Sequence, residues 1–485
     1  MIKTSAIFLF LNYCLGKKVD MSMVVAQIDW RQLYNFASRQ ALLGFCFDGI
    51  ERLTKEFSEE LKQNPMGRDL LMTWMGAAQQ IRRQNMKVNG VAAKLYSKFR
   101  EDGLRCCILK GQGNALMYPN PYSRTPGDID VWVNASREDI TEYAKRHFNL
   151  EDDIRFHHLE TTMDGVPVEL HFFPCSMNNP IYHARLQKWF RRNVDLQCSH
   201  IVGLPNGAGD IAIPTSAFNV IYQLTHLYHH FFDEGIGMRQ IIDYYHVVCD
   251  FYKVYQNSSK ITPSLFTIKE GSTSHPDPLT LRGEGGNRPT RCCICPTCPS
   301  PAGGSLTHSQ ALALSKRARD VTAPSRCSEP LRSKDGGPSK VSPVCAGWDR
   351  LSIEGDNSGG SATAVTSSAS TALVVVQREL KYLGLWKFAG AVMYVLKEVL
   401  GLSEDKMIVP VDEKRGRLLL AEILDGGNFG RHFSKYAGFT HQSMGKKYFL
   451  KIWRNMHFVR YYPAEALCEP LFRTWHFFWR LKYKK

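Results

Sequence analysis

The run Gly127-Asp128-Ile129-Asp130-Val131-Trp132-Val133 sets two carboxylates two residues apart inside an apolar, β-branched stretch. Side chains at i and i+2 of a strand project from one face. Asp128 and Asp130 can therefore aim their oxygens at one point while Ile129 and Val131 bury themselves behind. Carboxylates that close repel unless something positive sits between them. A hard divalent cation is the usual solution, and Mg²⁺ favours one or two protein carboxylates together with phosphate oxygens and water. An Asp-x-Asp pair also describes strand ends, turns and solvated edges, so its neighbours must decide.

Upstream, Leu104-Arg105-Cys106-Cys107-Ile108-Leu109 reads as a short buried strand, followed by Lys110-Gly111-Gln112-Gly113 and a helix expected from Asn114 to Tyr118. Backbone amides at such a glycine turn, with a helix dipole behind them, suit a phosphate, and Lys110 adds a point charge. Downstream, His157 to Met163 and Val166 to Phe172 flank Asp164-Gly165, a two-residue hairpin signal. Glu169 and His171 share a face of the second strand.

A glycine turn, an Asp-x-Asp strand and a further acidic residue on a later strand together resemble the DNA polymerase beta-like nucleotidyltransferase superfamily. Leu109-Lys110-Gly111, Tyr118-Pro119, Arg124, Gly127-Asp128-Ile129-Asp130 and Val168-Glu169-Leu170-His171 look like a largely uncharacterised bacterial group of that superfamily. The likeness runs from roughly Ile28 to Tyr252 and resumes near Arg378. It implies that Asp128, Asp130 and Glu169 are the catalytic carboxylates and hold Mg²⁺, or Mn²⁺ in its place, between an incoming NTP and an acceptor. Lys110, Gly111, Gly113 and Arg124 are expected to form a nucleotide cradle, with His171 and Arg239 as supporting or acceptor contacts. One departure stands out: the superfamily commonly has Gly-Ser after the first strand, and this chain has Gly111-Gln112 behind Lys110. The missing serine favours a second reading, a catalytically inactive nucleotidyltransferase fold that binds RNA or a protein partner; the intact acidic trio disfavours it. The acceptor stays open among sugar phosphate, RNA, protein and small metabolite.

Around this site the pattern implies an α+β fold, a small mixed-sheet nucleotidyltransferase core flanked by helical regions. Residues 24–103 read as a helical lead-in, 104–200 as the core, 210–256 and 374–485 as helical regions, and 257–373 as a low-complexity insert expected to be disordered or foreign to the fold. Arg239 and Asp243 stand at i,i+4 and are expected to form a helix-face ion pair. His226, His229 and His230 are expected to be polar packing between helices, with no further metal ligand nearby. The aromatic end, Phe472 to Lys482, is expected to pack in the core; contact with anionic lipid or stacking on nucleic acid are its alternatives.

With 485 residues the chain can build a sizeable core, and its net charge of +15 suits phosphate-bearing partners without naming one. The insert holds thirteen Lys/Arg and nine Asp/Glu, so removing it takes four charges and leaves +11; the basic character belongs to the rest. Fourteen cysteines scattered through a large chain point to a reducing, cytoplasmic setting. Within the insert, Cys292, Cys293, Cys295 and Cys298 lack a second close pair for zinc. Ala6 to Leu11 imitates a signal peptide without a convincing cleavage site, which leaves Met21 and Met23 as alternative starts. No stretch reaches the roughly 18 apolar residues of a transmembrane helix.

Overall fold

Short apolar runs, buried along their whole length in the two strands nearest the site, build the sheet that carries it. A computed structural model describes residues 4–256, 368–433 and 444–483. Strands β1 (Cys106–Leu109), β2 (Ile129–Val133), β3 (Leu150–Ile154), β4 (His158–Met163) and β5 (Val166–His171) form one mixed sheet in the order β1-β2-β5-β4-β3. Strand β2 lies antiparallel to β1 and parallel to β5; β4 is antiparallel to both β5 and β3. The β4–β5 connection is the expected hairpin, with Asp164 at φ 51° and Gly165 at φ 70°, the positive values a two-residue primed turn requires.

One face of the sheet is apolar. Ile129, Val131 and Val133 of β2, Cys106 and Ile108 of β1, and Val166, Val168 and Leu170 of β5 pack there with Ile140 and Ala144. The long helix Arg68–Glu101 closes this core through Val88, Ala92, Leu95, Tyr96 and Phe99, a helical stripe. Ser136 caps the helix Arg137–His147 by accepting from the Asp139 amide, as its sequence suggests.

The opposite face carries the polar residues and is roofed by helices. Trp132, one strand step beyond Asp130, stacks on Phe218 with 5.9 Å between ring centroids and meets Phe190 edge-on at 5.7 Å. These contacts seat the helix Ser216–Asp233 over the sheet. Met238–Gln256, Ser368–Tyr382, Trp386–Leu400 and Glu413–Gly426 complete the larger apolar core.

Several elements differ from expectation. The helix after β1 spans only Gly111–Ala115, not Asn114 to Tyr118. Five residues carry little macrodipole, so the positive charge there is the Lys110 ammonium. The signal-like N-terminus is a helix, Thr4–Cys14, whose Phe10, Leu11 and Tyr13 are fully buried. Its Asn12 donates a 2.8 Å bond to the Val399 carbonyl. The helix expected to resume at Arg378 begins at Ser368 and buries Ala372 and Val376; the remainder of the 257–373 insert lies outside the described residues. A further hairpin, β6 (Ile201–Leu204) with β7 (Gly209–Ala212), turns through Asn206 and Gly207 at positive φ. Its Asn-Gly pair is the turn signal of such a hairpin. No helix among the described residues is long and apolar enough to cross a membrane.

Candidate active site

Between the polar sheet face and the helical roof lies a cavity of about 650 Å³. Strand pairing fills its floor. In the parallel β2–β5 pair Asp130 stands opposite Glu169 and Trp132 opposite His171. Asp128, Asp130, Glu169, His171 and Lys110 all line the cavity. His171 Nε2 lies 3.0 Å from Asp130 Oδ1 and 3.2 Å from Glu169 Oε2. Lys110 Nζ is 2.9 Å from the same Asp130 oxygen and 3.1 Å from His226 Nε2. An ammonium only donates, so His226 accepts at Nε2 and carries its proton on Nδ1.

Lys110 reaches this position from a costly backbone conformation. Its φ of 51° and ψ of −126° favour glycine. Strain of this kind persists where surroundings over-determine it, and here the ion pair to buried Asp130 does so.

The carboxylates divide by environment. Asp128 opens to the cavity, and the charges of Asp130 and then burial and Glu169 push it up to about 6. Burial would raise Asp130 as well, but Lys110 and the hydrogen bond and charge of His171 hold it well below the usual carboxylate range. Glu169 is brought down to about 2 against burial, chiefly by the His171 hydrogen bond. Burial opposes charge on His171, yet its bonds to Asp130 and Glu169 raise it to about 9. Burial keeps His158 down at about 3 and holds His157 and His226 low.

Two expected cradle residues are engaged with other parts of the chain. Gly113 does not reach the cavity; it is buried, and a Cβ there would lie 3.0 Å from Ile213 Cγ2. Arg124 borders the cavity but is committed to Asp243, with Nε and Nη2 each 2.8 Å from its two oxygens. Tyr118 adds a 2.7 Å hydrogen bond to Asp243, and Asn85 holds the Arg124 carbonyl at 2.7 Å. Asp243 therefore pairs with Arg124, not with Arg239 at i,i+4. Arg239 instead donates to the Thr125 carbonyl at 3.0 Å and lies over Phe429 at 5.5 Å. Its buried Nε has no hydrogen-bond partner, and no carboxylate among the described residues pairs with it. Gly111 does line the cavity, where a Cβ would approach the Asp128 carbonyl at 3.8 Å.

The residues 26–256 match the family described as an uncharacterised nucleotidyltransferase. The match covers just under half of the chain. It contains every sequence-derived site residue, from Lys110 to Arg239. A solved structure, an antigenic nucleotidyltransferase-like protein from Paracoccidioides brasiliensis, is similar at 16% identity and a TM-score of 0.23, covering 33% of this chain and 75% of that one. No curated protein matches.

Beyond residues 26–256, another wall of the cavity comes from the C-terminal part of the chain. Phe429, Arg431, Phe433, Lys451 and Arg454 line it. Lys451 Nζ and Arg473 Nη2 each lie 3.0 Å from Asp233 Oδ1, fixing two C-terminal helices to the end of Ser216–Asp233. His157, His158, His226, His229 and His230 also border the cavity. Sequence spacing offered His226, His229 and His230 only as helix packing and did not mark His157 or His158. On the terminal helix Glu469–Tyr483, Phe472, Trp475 and Trp479 surround Phe156 edge-on at 5.0–6.0 Å, whereas Leu471, Phe477 and Phe478 are exposed. The aromatic stripe therefore packs on one side only.

Proposed function

We propose that this protein transfers a nucleoside monophosphate from an NTP to a hydroxyl or phosphate acceptor, with pyrophosphate leaving. One observation carries the reading: Asp130 and Glu169 face each other across parallel strands, with Asp128 two residues earlier and Lys110 against them, on the floor of a single cavity. The residues fit a divalent cation. Asp128 is driven upward by the charges of Asp130 and Glu169, a repulsion that bound Mg²⁺ would relieve. Asp128, Asp130 and Glu169 would hold Mg²⁺, which supplies Lewis-acid stabilisation of phosphate charge.

The chain's own residues divide the remaining work. Lys110 and Arg239 both line the cavity and offer cations to a triphosphate. The Gly111 backbone lets that chain come close. Arg124 acts at one remove, since its pairing with Asp243 fixes the loop that ends at Asp128. Glu169 orients the acceptor hydroxyl or takes its proton; the acceptor oxygen then joins the α-phosphorus as the bond to the pyrophosphate oxygen breaks.

The test incubates purified protein with each labelled NTP, Mg²⁺ or Mn²⁺ and a cell extract. Labelled product and pyrophosphate that vanish in Asp128→Ala support the reading. No turnover, with no metal-dependent NTP binding by calorimetry, overturns it. One feature favours the inactive binding protein in that event: Lys110 and His171 already neutralise Asp130 from within the chain.

A further inference from the structure

Beside the acidic floor, three histidines converge in a way that phosphate chemistry does not require. His157, His158 and His171 each offer a ring nitrogen, and these atoms lie within 4.8 Å of one another. Two of the three are buried, at 3% and 2% exposure. In both, one nitrogen is on a carboxylate: His171 Nε2 is 3.0 Å from Asp130 Oδ1, and His158 Nε2 is 3.4 Å from Glu160 Oε1. In both, the other ring nitrogen, Nδ1, is buried and makes no hydrogen bond. An imidazole whose second nitrogen is oriented by a carboxylate while the first is left open is the arrangement of a metal ligand. Glu169 Oε2, 3.3 Å from His158 Nδ1, offers an oxygen at the same place.

We propose that His157, His158 and His171 form a site for a borderline first-row transition ion of the Zn²⁺ type, with Glu169 shared between it and the acidic floor. Imidazole nitrogens favour such ions over Mg²⁺, whose ligands are oxygen. The cavity then takes two unlike cations, a hard one at Asp128 and Asp130 and a borderline one at the histidines. His226, His229 and His230 lie on the roof and are not part of the cluster. The role of this second ion rests on the transferase reading above, but its binding does not, because it is measured with metal alone.

The full chain, stripped with chelator, is titrated with Co²⁺ in excess Mg²⁺, and the visible ligand-field bands are followed. About one equivalent with weak bands and no intense near-ultraviolet thiolate band is expected. Zn²⁺ should displace the Co²⁺. His158→Asn and His157→Ala should each weaken binding at least tenfold, and Glu160→Gln, which leaves all three ligands in place, about tenfold. Far-ultraviolet circular dichroism checks folding, and Glu160→Gln serves as the mild variant if a histidine variant fails to fold. Absence of the bands, bands unchanged in all three variants, or a thiolate band lost on changing Cys295 and Cys298 to serine would each overturn the site. Metal binding without any nucleotide binding would sink only the transferase reading.

Discussion

Arg124 and Asp243 close a bidentate ion pair, two bonds of 2.8 Å between residues 119 positions apart in the chain. The pair commits the Arg124 guanidinium to Asp243 and leaves Arg239, beside it, without a carboxylate among the described residues. Changing the two arginines should therefore separate stability from binding. Arg124→Ala strands the buried Asp243 and should cost about 3–5 kcal/mol by denaturant unfolding. Arg239→Ala should cost about 1 kcal/mol, the scale of its bond to Thr125, and should weaken NTP binding at least tenfold. Equal stability losses in the two variants would contradict this division.

Lys110 is held at positive φ, so its two small replacements should differ. Lys110→Gly and Lys110→Ala both lose the ion pair to Asp130, but only glycine is at ease in that conformation. The glycine variant should be the more stable by about 1 kcal/mol. A more stable alanine variant would mean that the backbone there relaxes once the ammonium is gone.

Glu465 is buried and accepts from the amides of Asn178 and Asn179, at 2.5 and 3.2 Å. Burial outweighs these bonds and lifts its carboxyl to about 7. Between the unfolded value of 4.5 and this folded value the native state holds the extra proton, so stability falls as pH rises through that window. The contribution is complete below about pH 4 and lost above about pH 8. Relative to Glu465→Gln, which does not titrate, the wild type should lose on the order of 3 kcal/mol across it. Parallel pH–stability curves for the two proteins would refute the assignment.

The insert's boundary can be set from packing. Ala372 is buried within the helix that starts at Ser368, so removal of 257–367, bridged by a Gly/Ser linker, should preserve the cooperative thermal transition. Removal through residue 373 cuts into that helix and should lower Tm by several degrees, at roughly 2–4 °C per kcal/mol for a large domain. A shorter deletion that unfolds the protein would give the segment a structural role.

Local sequence was enough wherever period and turn chemistry decide the outcome. The two-residue period of β2 and β5 put Asp128, Asp130, Glu169 and His171 on one face and Ile129, Val131 and Leu170 on the other, and Asp164-Gly165 set the hairpin that aligns β4 with β5. Asn206-Gly207 carries the same kind of local turn signal. Which charge answers which carboxylate was not legible, because Arg239 is four residues from Asp243 while the partner that wins, Arg124, arrives from another element. Nor could spacing gather His157, His158 and His171 with the roof histidines, or bring Phe429 and Lys451 to the cavity wall. Strand alternation is a property of neighbouring residues, fixed by backbone geometry. Pairing across a cavity depends on how Trp132, Phe218 and the helical core dock the roof on the sheet, and that is settled only when the whole chain packs.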